Sequence, residues 1–482
     1  MAVIWNDLRE YLERLERDGN LTIVRGARWE DEIGTITELM DERDGPALLF
    51  DEIPGYPKGF RILANAIENY DSMSMAMGLD PKMSTEERSE RWGQITKSFK
   101  SCPPQEMSTG PVLENMITGD AVDLFRFPTP RWHEADGGRY IGTGVCVIQK
   151  DPETDFVNVG CYRVSVQDER TCGIFMEPGR HGDVIRKKFW ARGEACPVVV
   201  CVGQEPVLTV LSGSSMFRSP DQVSELEVAG HVHDAPYPVI KAPITGLPIP
   251  AAAEIAIEGF IPPPSEGLMD EGPFGEWTGY YGHVRHPETI INVKAIYHRN
   301  DPVIFASPPE RPVNATVELG KNNVQTRRRM EEAGIKGVRG VYTLANPGFM
   351  VVSLKQMHAG HVEEVSKFVS PEGDRFSGNQ IWVIVDDDIT TAAEVLWAMA
   401  TRLIPETGVR VVPGRAIWQL DPRILPEYRA AALHGEKGPY PAHNLVINAC
   451  RPYDWIDQFP PVNMNSPELR ARVLRDWESL FN

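Results

Sequence analysis

Apolar positions near the start of the chain recur every three or four residues. Trp5, Leu8, Leu12 and Leu15 fall on one face with charges between them, which predicts an amphipathic helix over residues 5–17. Ile33, Ile36, Leu39 and Met40 mark a second helix, and the run Pro46-Ala-Leu-Leu-Phe50 a short buried strand. A passage rich in Pro and Met, about 101–131, separates this first α/β unit from a second, mostly β region. From about residue 138 the period drops to two. Residues 140–149 and 156–167 read as strands joined by the turn Asp151-Pro-Glu-Thr-Asp155. A helix comes next over 182–192, then a fully buried strand over 197–203. Residues 219–230 read as a short helix with Pro220 at its first position. Strands are expected at 254–258, 289–297 and 303–306, so this mostly β stretch predicts a barrel or split barrel. Past Pro312 the pattern returns to α/β. Helices at 319–333, 360–368 and 391–403 alternate with strands at 348–354, 381–385 and 409–412, a βαβ arrangement. A final helix at 467–480 lies beyond an arm with Pro452, Pro460 and Pro461; it either grips a partner subunit or folds back on its own domain. The expected fold is mixed α/β (α+β) in three domains, 1–120, 121–312 and 313–482.

Charge narrows the function classes. A formal net charge of −19 and a pI near 5.1 disfavour nucleic acid and anionic membranes as partners, so any anionic ligand needs a local basic pocket. No run approaches 18 uninterrupted apolar residues, and the first residues lack a charged start followed by an apolar stretch. Seven cysteines without a CxxC pair fit reduced thiols rather than a disulfide framework or a Cys-zinc site. Together these place the chain in the cytoplasm.

Chemistry-bearing residues fall in a few stretches. In Glu271-Gly-Pro-Phe-Gly-Glu276-Trp-Thr-Gly-Tyr-Tyr281, Gly and Pro exclude a regular helix and hold two acids among aromatics. An acid in such a frame has the ingredients for a raised pKa and general-acid chemistry; the plainer reading is a turn with two solvated acids. In Asn158-Val-Gly-Cys-Tyr-Arg163 a regular strand puts Asn158, Gly160 and Tyr162 on one face, Cys161 and Arg163 on the other. A buried Arg163 needs a partner, for which Glu271 and Glu276 are candidates; a surface position is the commoner fate of arginine. Arg180-His181-Gly182 sits at an expected helix N-terminus, which suits a phosphate or is merely a solvated cap. Ser224 and Glu227 form a capping box if their helix starts late, which leaves Glu225 free. An Asn, a His and a Glu from separate segments would suit Mg²⁺ or Mn²⁺ beside a phosphate. Lys355 ends a strand and could meet a phosphate. His358 and His361, three apart, read as a polar turn rather than a metal site, because no third ligand is near in sequence.

Taken together, these stretches resemble the UbiD family of prenylated-flavin-dependent decarboxylases. The likeness runs nearly end to end. It includes Leu8-Arg-Glu-Tyr-Leu12, Gly45-Pro-Ala-Leu-Leu-Phe50, Asn158 to Arg163, Ser224-Glu225, Glu271 to Tyr281, Ala359-Gly-His361 and Val385-Asp-Asp-Asp388. The resemblance implies an N-terminal α/β domain, a central split-barrel flavin domain and a C-terminal α/β oligomerisation domain. It implies prenylated FMN made by a separate flavin prenyltransferase, with Mn²⁺ (or Mg²⁺) bridging the cofactor phosphate to Asn158, His181 and Glu225. Arg180 and Lys355 fall at phosphate contacts, Cys161, Tyr162 and Arg163 along the cofactor, and K⁺ near Ser214-Ser-Met216. The family's Glu-Arg-Glu network maps onto Glu271, Arg163 and Glu276. The implied reaction is non-oxidative decarboxylation through a covalent adduct, reversible under high CO₂, with Glu276 as proton donor to the carbon that loses CO₂. Trp277 and His358 are expected to shape the substrate pocket, and an aromatic or heteroaromatic acid is favoured. The alternatives are an α,β-unsaturated (cinnamic-type) acid, a non-catalytic flavin-binding subunit and, ranked last, a metal-dependent hydrolase. A homodimer or higher homo-oligomer is implied.

Overall fold

The computed structural model describes residues 5–41, 43, 45–68, 70–213, 223–276, 281, 285–309, 324–344, 348–369, 380–416, 421–433 and 441–460. Pro220, Ser214 to Met216, Trp277 and the helix expected at 467–480 lie outside them. The first amphipathic helix is Leu8–Arg17. Asp7 caps it by accepting from the Glu10 N–H, and Leu8, Tyr11 and Leu15 are its buried face. It packs over a four-stranded sheet of Leu21–Arg25, Ala47–Asp51, Arg61–Ala64 and Val303–Phe305, in that order. The last of these strands arrives from far along the chain and pairs in parallel with Arg61–Ala64.

A second long-range tie fixes the same helix to the centre of the molecule. Arg9 donates through Nε and Nη2 to the two oxygens of Glu254, each at 2.8 Å. Glu254 is fully buried and also receives Arg299 Nη1 at 3.2 Å and the Val303 N–H at 3.2 Å. Removing one partner of such a network leaves the other charges uncompensated. Glu254→Ala is therefore expected to destabilise the fold by about 3 kcal/mol, read as a lower midpoint of chemical unfolding.

The passage expected as a spacer at 101–131 is instead built into the sheets. Gln105–Met107 pairs with Pro238–Lys241, and Asn115–Thr118 adds an edge to the long strand His286–His298. The centre is a ten-stranded sheet whose main path runs Arg139–Gly142, Val164–Val166, Thr171–Ile174, His286–His298, Ile255–Ile261, Cys196–Val202, Cys146–Lys150, Val157–Gly160. Every pairing along it is antiparallel. Six strand spacings separate Val164–Val166 from Val157–Gly160 along this path, about 29 Å if the sheet were flat. Only Cys161, Tyr162 and Arg163 join the two strands, and that link spans at most roughly 14 Å. The sheet must therefore curl until its two ends approach, which gives the expected split-barrel centre. The regular strand expected over 156–167 is broken at this link: the Cys161 N–H leaves the ladder and donates to Ser212 O at 3.0 Å.

Past the central sheet, Phe349–Leu354, Ile381–Asp386 and Pro441–Ala449 run parallel. Val338–Thr343 and Val409–Ala416 flank them antiparallel, giving a five-stranded sheet. Thr391 opens the helix Ala392–Arg402 with a capping box to Glu394. Several helices escaped the sequence pattern, among them Tyr70–Ala76, Thr85–Lys97, Pro206–Gly213 and Pro426–Leu433. Pro206–Gly213 is apolar on nearly every side because it is buried, and Glu205 caps it by accepting from the N–H groups of Val207 (2.7 Å) and Leu208 (2.8 Å).

Candidate active site

Arg163 stands on the link where the barrel ends meet, and it joins both acids of the Glu271–Glu276 turn. Its Nε donates to Glu271 Oε1 at 2.8 Å and its Nη2 to Glu271 Oε2 at 2.7 Å, a bidentate fork. Its Nη1 donates to Glu276 Oε1. All three side chains are over nine-tenths buried, so the solvated-acid reading of this turn does not hold. The guanidinium lies over the Phe175 ring at 4.4 Å and the Phe274 ring at 5.4 Å, where the aromatic faces favour a cation.

Two carboxylates and one guanidinium leave one surplus negative charge out of water. Protonating one acid neutralises the set. Glu271 accepts three hydrogen bonds, since the Tyr140 hydroxyl also reaches its Oε1 at 3.0 Å. The proton falls to Glu276, whose pKa is pushed up to about 7 by burial, against the pull of Arg163 and with the help of Glu271. Burial works against the Arg163 charge, but the two carboxylates outweigh it and hold its pKa above the ordinary value.

The turn is clamped from a segment that sequence reasoning passed over. The Gly137 N–H donates to Pro273 O at 2.8 Å, and a Cβ at Gly137 would fall 1.8 Å from Gly272 O, so only glycine fits. Asp136, buried, accepts the Gly275 N–H at 3.2 Å and the His133 N–H at 2.9 Å. Tyr140 packs against Phe274 with ring centroids 4.2 Å apart and the planes tilted by 38°. Asp136 and Tyr140 thus hold Glu276 and Glu271 in place. No short motif marks them, because their partners lie more than 130 residues away.

At the other end of the same link, Asn158 and Tyr162 meet the start of the helix His181–Trp190. Arg180 occupies its N-cap position and His181 its first turn. The Tyr162 hydroxyl accepts the Gly182 N–H at 3.1 Å. Burial raises the Tyr162 pKa, and Asn158, Glu225 and Arg180 are near enough to act on it. Glu225 opens the helix Glu225–His233, capped by Ser224, whose Oγ accepts from the Leu226 N–H at 3.3 Å. The helix therefore starts late, as one reading of the sequence had it. Its capping box does not form: Glu227 accepts from Ser101 Oγ instead. Glu225 accepts the Val159 N–H at 2.8 Å, which docks this helix on the strand carrying Asn158. Cys161 is partly buried on the link, its Sγ 3.9 Å from Thr143 O.

The described residues fit a divalent cation at this end. Asn158 is buried and brings an amide oxygen, a ligand type that such ions take. Burial without a compensating positive charge pushes the Glu225 carboxyl up to about 7. An oxygen-seeking cation would supply that charge, with His181 at the exposed rim as an imidazole ligand.

Two expected residues lie apart from this constellation. Lys355 and His358 come just after the strand Phe349–Leu354 and are exposed. No hydrogen bond or ion pair joins either to Asn158, Arg163, Arg180, His181 or Glu225 among the described residues. The reading of His358 and His361 as lacking a third ligand is corrected. Glu364 joins them, the three ligand atoms lying within 4.8 Å of one another, because the helix His361–Phe368 returns it to the same side. His361 Nδ1 accepts the Met357 N–H at 3.1 Å, so its neutral ring presents an N–H, not a lone pair, at Nε2.

Comparison with known proteins gives the family. Residues 12–92, 105–312 and 323–439 match, respectively, the N-terminal, Rift-related and C-terminal domains of 3-octaprenyl-4-hydroxybenzoate carboxy-lyase, or UbiD. A phenolic acid decarboxylase of Streptomyces sp. (strain D7) is 31% identical over 88% of this chain and 90% of its own. The pyrrole-2-carboxylic acid decarboxylase of Pseudomonas aeruginosa (strain PAO1) is 28% identical over 98% of this chain and 97% of its own. The UbiD-class enzyme HmfF from Pelotomaculum thermopropionicum, solved in complex with FMN, superposes with a TM-score of 0.81 at 25% identity over 98% of this chain and all of its own. Over nearly its whole length, then, this chain belongs to the UbiD family of carboxy-lyases.

Proposed function

We propose that the protein decarboxylates an aromatic or heteroaromatic carboxylic acid without net oxidation, using prenylated FMN, with Glu276 as the acid that protonates the product carbon. The observation that carries this reading is the buried Glu271–Arg163–Glu276 set, one short link away from Asn158, Tyr162 and Glu225. When bound, prenylated FMN supplies the covalent electron sink that no side chain offers to a carbon losing CO₂. Asn158, His181 and Glu225 would hold Mn²⁺ (or Mg²⁺) against its phosphate, with Arg180 beside them. Lys355 would complete the phosphate contacts only from the C-terminal unit.

The protein's own groups have distinct tasks. Arg163 attracts the substrate carboxylate and fixes both glutamates. Glu271, anchored by Tyr140, keeps Arg163 oriented. Glu276 holds the proton near neutral pH and delivers it to the carbon left by CO₂; the reverse transfer serves carboxylation when CO₂ is abundant. Burial of the set excludes bulk water as a competing acid.

The decisive experiment is production together with a flavin prenyltransferase, and then assay of CO₂ release from phenolic and five-membered heteroaromatic acids. Release is expected. A flavin-loaded protein inert on that panel would favour a non-catalytic flavin-binding subunit instead. Since the active form is protonated Glu276, the rate should fall as pH rises through about 7. Glu271→Gln gives the whole Arg163 charge to Glu276, lowers its pKa and moves that limb to lower pH, as a pH–rate profile would record.

We also propose that a second copy of the chain covers the C-terminal sheet. Leu396 (63% exposed) and Trp397 on the helix Ala392–Arg402, with Ile404, Val409 and Val411 (59%) beyond it, leave an apolar face open. Leu396→Glu combined with Val411→Glu should convert a dimer or larger assembly to monomers in light scattering.

A further inference from the structure

Glu177 pairs with Arg180 at one end of the site, acts electrostatically on Glu276 at the other, and has no task in the reaction proposed for it. It sits on the short connection from Thr171–Ile174 to the helix His181–Trp190, two residues past Phe175, the ring that faces Arg163. This connection is rigid. The Arg180 N–H donates to Glu177 O at 3.2 Å across Pro178 and Gly179, and Gly179 has φ +87°, the pattern of a type II turn. The Gly179 N–H is held in addition by Asp183 Oδ2 at 2.9 Å, and Asp183 is itself paired to Arg186 and Lys187. Glu177 is thus presented at a fixed place.

Its two carboxylate oxygens differ. Oε2 accepts from Arg180 Nε at 2.9 Å. Oε1 is buried and has no hydrogen-bond partner among the described residues. An acceptor left this way is unfavourable unless a ligand completes it, and a carboxylate oxygen accepts only from a donor. Its negative charge also contributes to the raised proton affinity of Glu276, which places it within electrostatic reach of the reacting end. The carboxylate of a substrate would be repelled here and drawn to Arg163, so the group facing Glu177 is a hydrogen-bond donor elsewhere on the ring.

We infer that Glu177 determines specificity: its unpartnered Oε1 accepts a hydrogen bond from a ring O–H or N–H of the substrate, so the enzyme selects phenolic or N–H heteroaromatic acids over isosteres lacking that donor. This rests on the function proposed above. A site built to bond a ligand hydrogen rejects the analogue without it far more strongly than an apolar pocket rejects a shape difference.

The test compares pyrrole-2-carboxylate with furan-2-carboxylate, and 4-hydroxybenzoate with 4-fluorobenzoate, in the flavin-loaded wild type, Glu177→Gln and Glu177→Leu. The donor acid of at least one pair should be favoured by about 10- to 100-fold in kcat/KM in the wild type. Glu177→Gln should retain part of that ratio and Glu177→Leu bring it near one, with flavin absorbance per protomer unchanged. An unchanged ratio in Glu177→Leu overturns the inference. So does a loss of flavin in step with activity, since Glu177 would then be a cofactor contact. Titration calorimetry of the same acids gives the ratio without turnover. A donor preference in binding with no CO₂ release keeps the role of Glu177 and rejects decarboxylation; no preference in binding or rate rejects the role itself.

Discussion

Glu276→Gln is expected to lower kcat by about 10²- to 10⁴-fold while leaving flavin content and KM nearly unchanged. Glutamine keeps the shape and still offers an oxygen to Arg163, so the frame of Gly272, Pro273 and Gly275 should stand. The transferable proton is lost. The split between kcat and KM arises because the proton is delivered only after the substrate carboxylate has been bound and lost. Glu276 is the member of the pair that can do this. It receives a single donor from Arg163, whereas Glu271 receives three from Arg163 and Tyr140. Steady-state kinetics on a flavin-loaded sample of each variant would check it, and full turnover in Glu276→Gln would remove Glu276 as the acid.

Arg163→Ala should abolish activity and cost about 3–5 kcal/mol of stability at neutral pH, the usual consequence of stranding buried carboxylates. Both Glu271 and Glu276 then lack their counter-charge, so in the folded protein both would hold protons to higher pH than in the unfolded chain. A carboxyl whose folded pKa is raised makes the fold lose stability as pH climbs from the unfolded value, near 4.3, through the folded one. The deficit of the variant should therefore be small near pH 4 and large at pH 8, as chemical unfolding at several pH values would show. Arg163→Lys should not rescue it. One ammonium cannot make the bidentate fork to Glu271 and reach Glu276 as well.

Much of the fold was legible because it is local. Apolar spacing gave the helix Leu8–Arg17, and unbroken apolar runs gave the buried strands Cys196–Val202 and Ile381–Asp386. Residues fixed by distant partners were not legible. The break at Cys161–Arg163 arises because the barrel closes there, and no property of those three side chains announces it. The strand Val303–Phe305 reads as the end of the β region, yet it completes the N-terminal sheet. The helix Pro206–Gly213 hid among β-branched residues that burial, not propensity, makes helical. The same division runs through the site. Glu271, Arg163 and Glu276 stand in recognisable stretches. Asp136, Tyr140 and Glu177 matter only through contacts made in three dimensions.

The most direct test is a mass spectrum of the cofactor released from protein produced with a flavin prenyltransferase, read beside the CO₂-releasing activity of the same sample. Prenylated FMN in the active fraction, and its absence from an inactive one, is the predicted result. Full decarboxylation by protein that carries unmodified FMN or no flavin would contradict it.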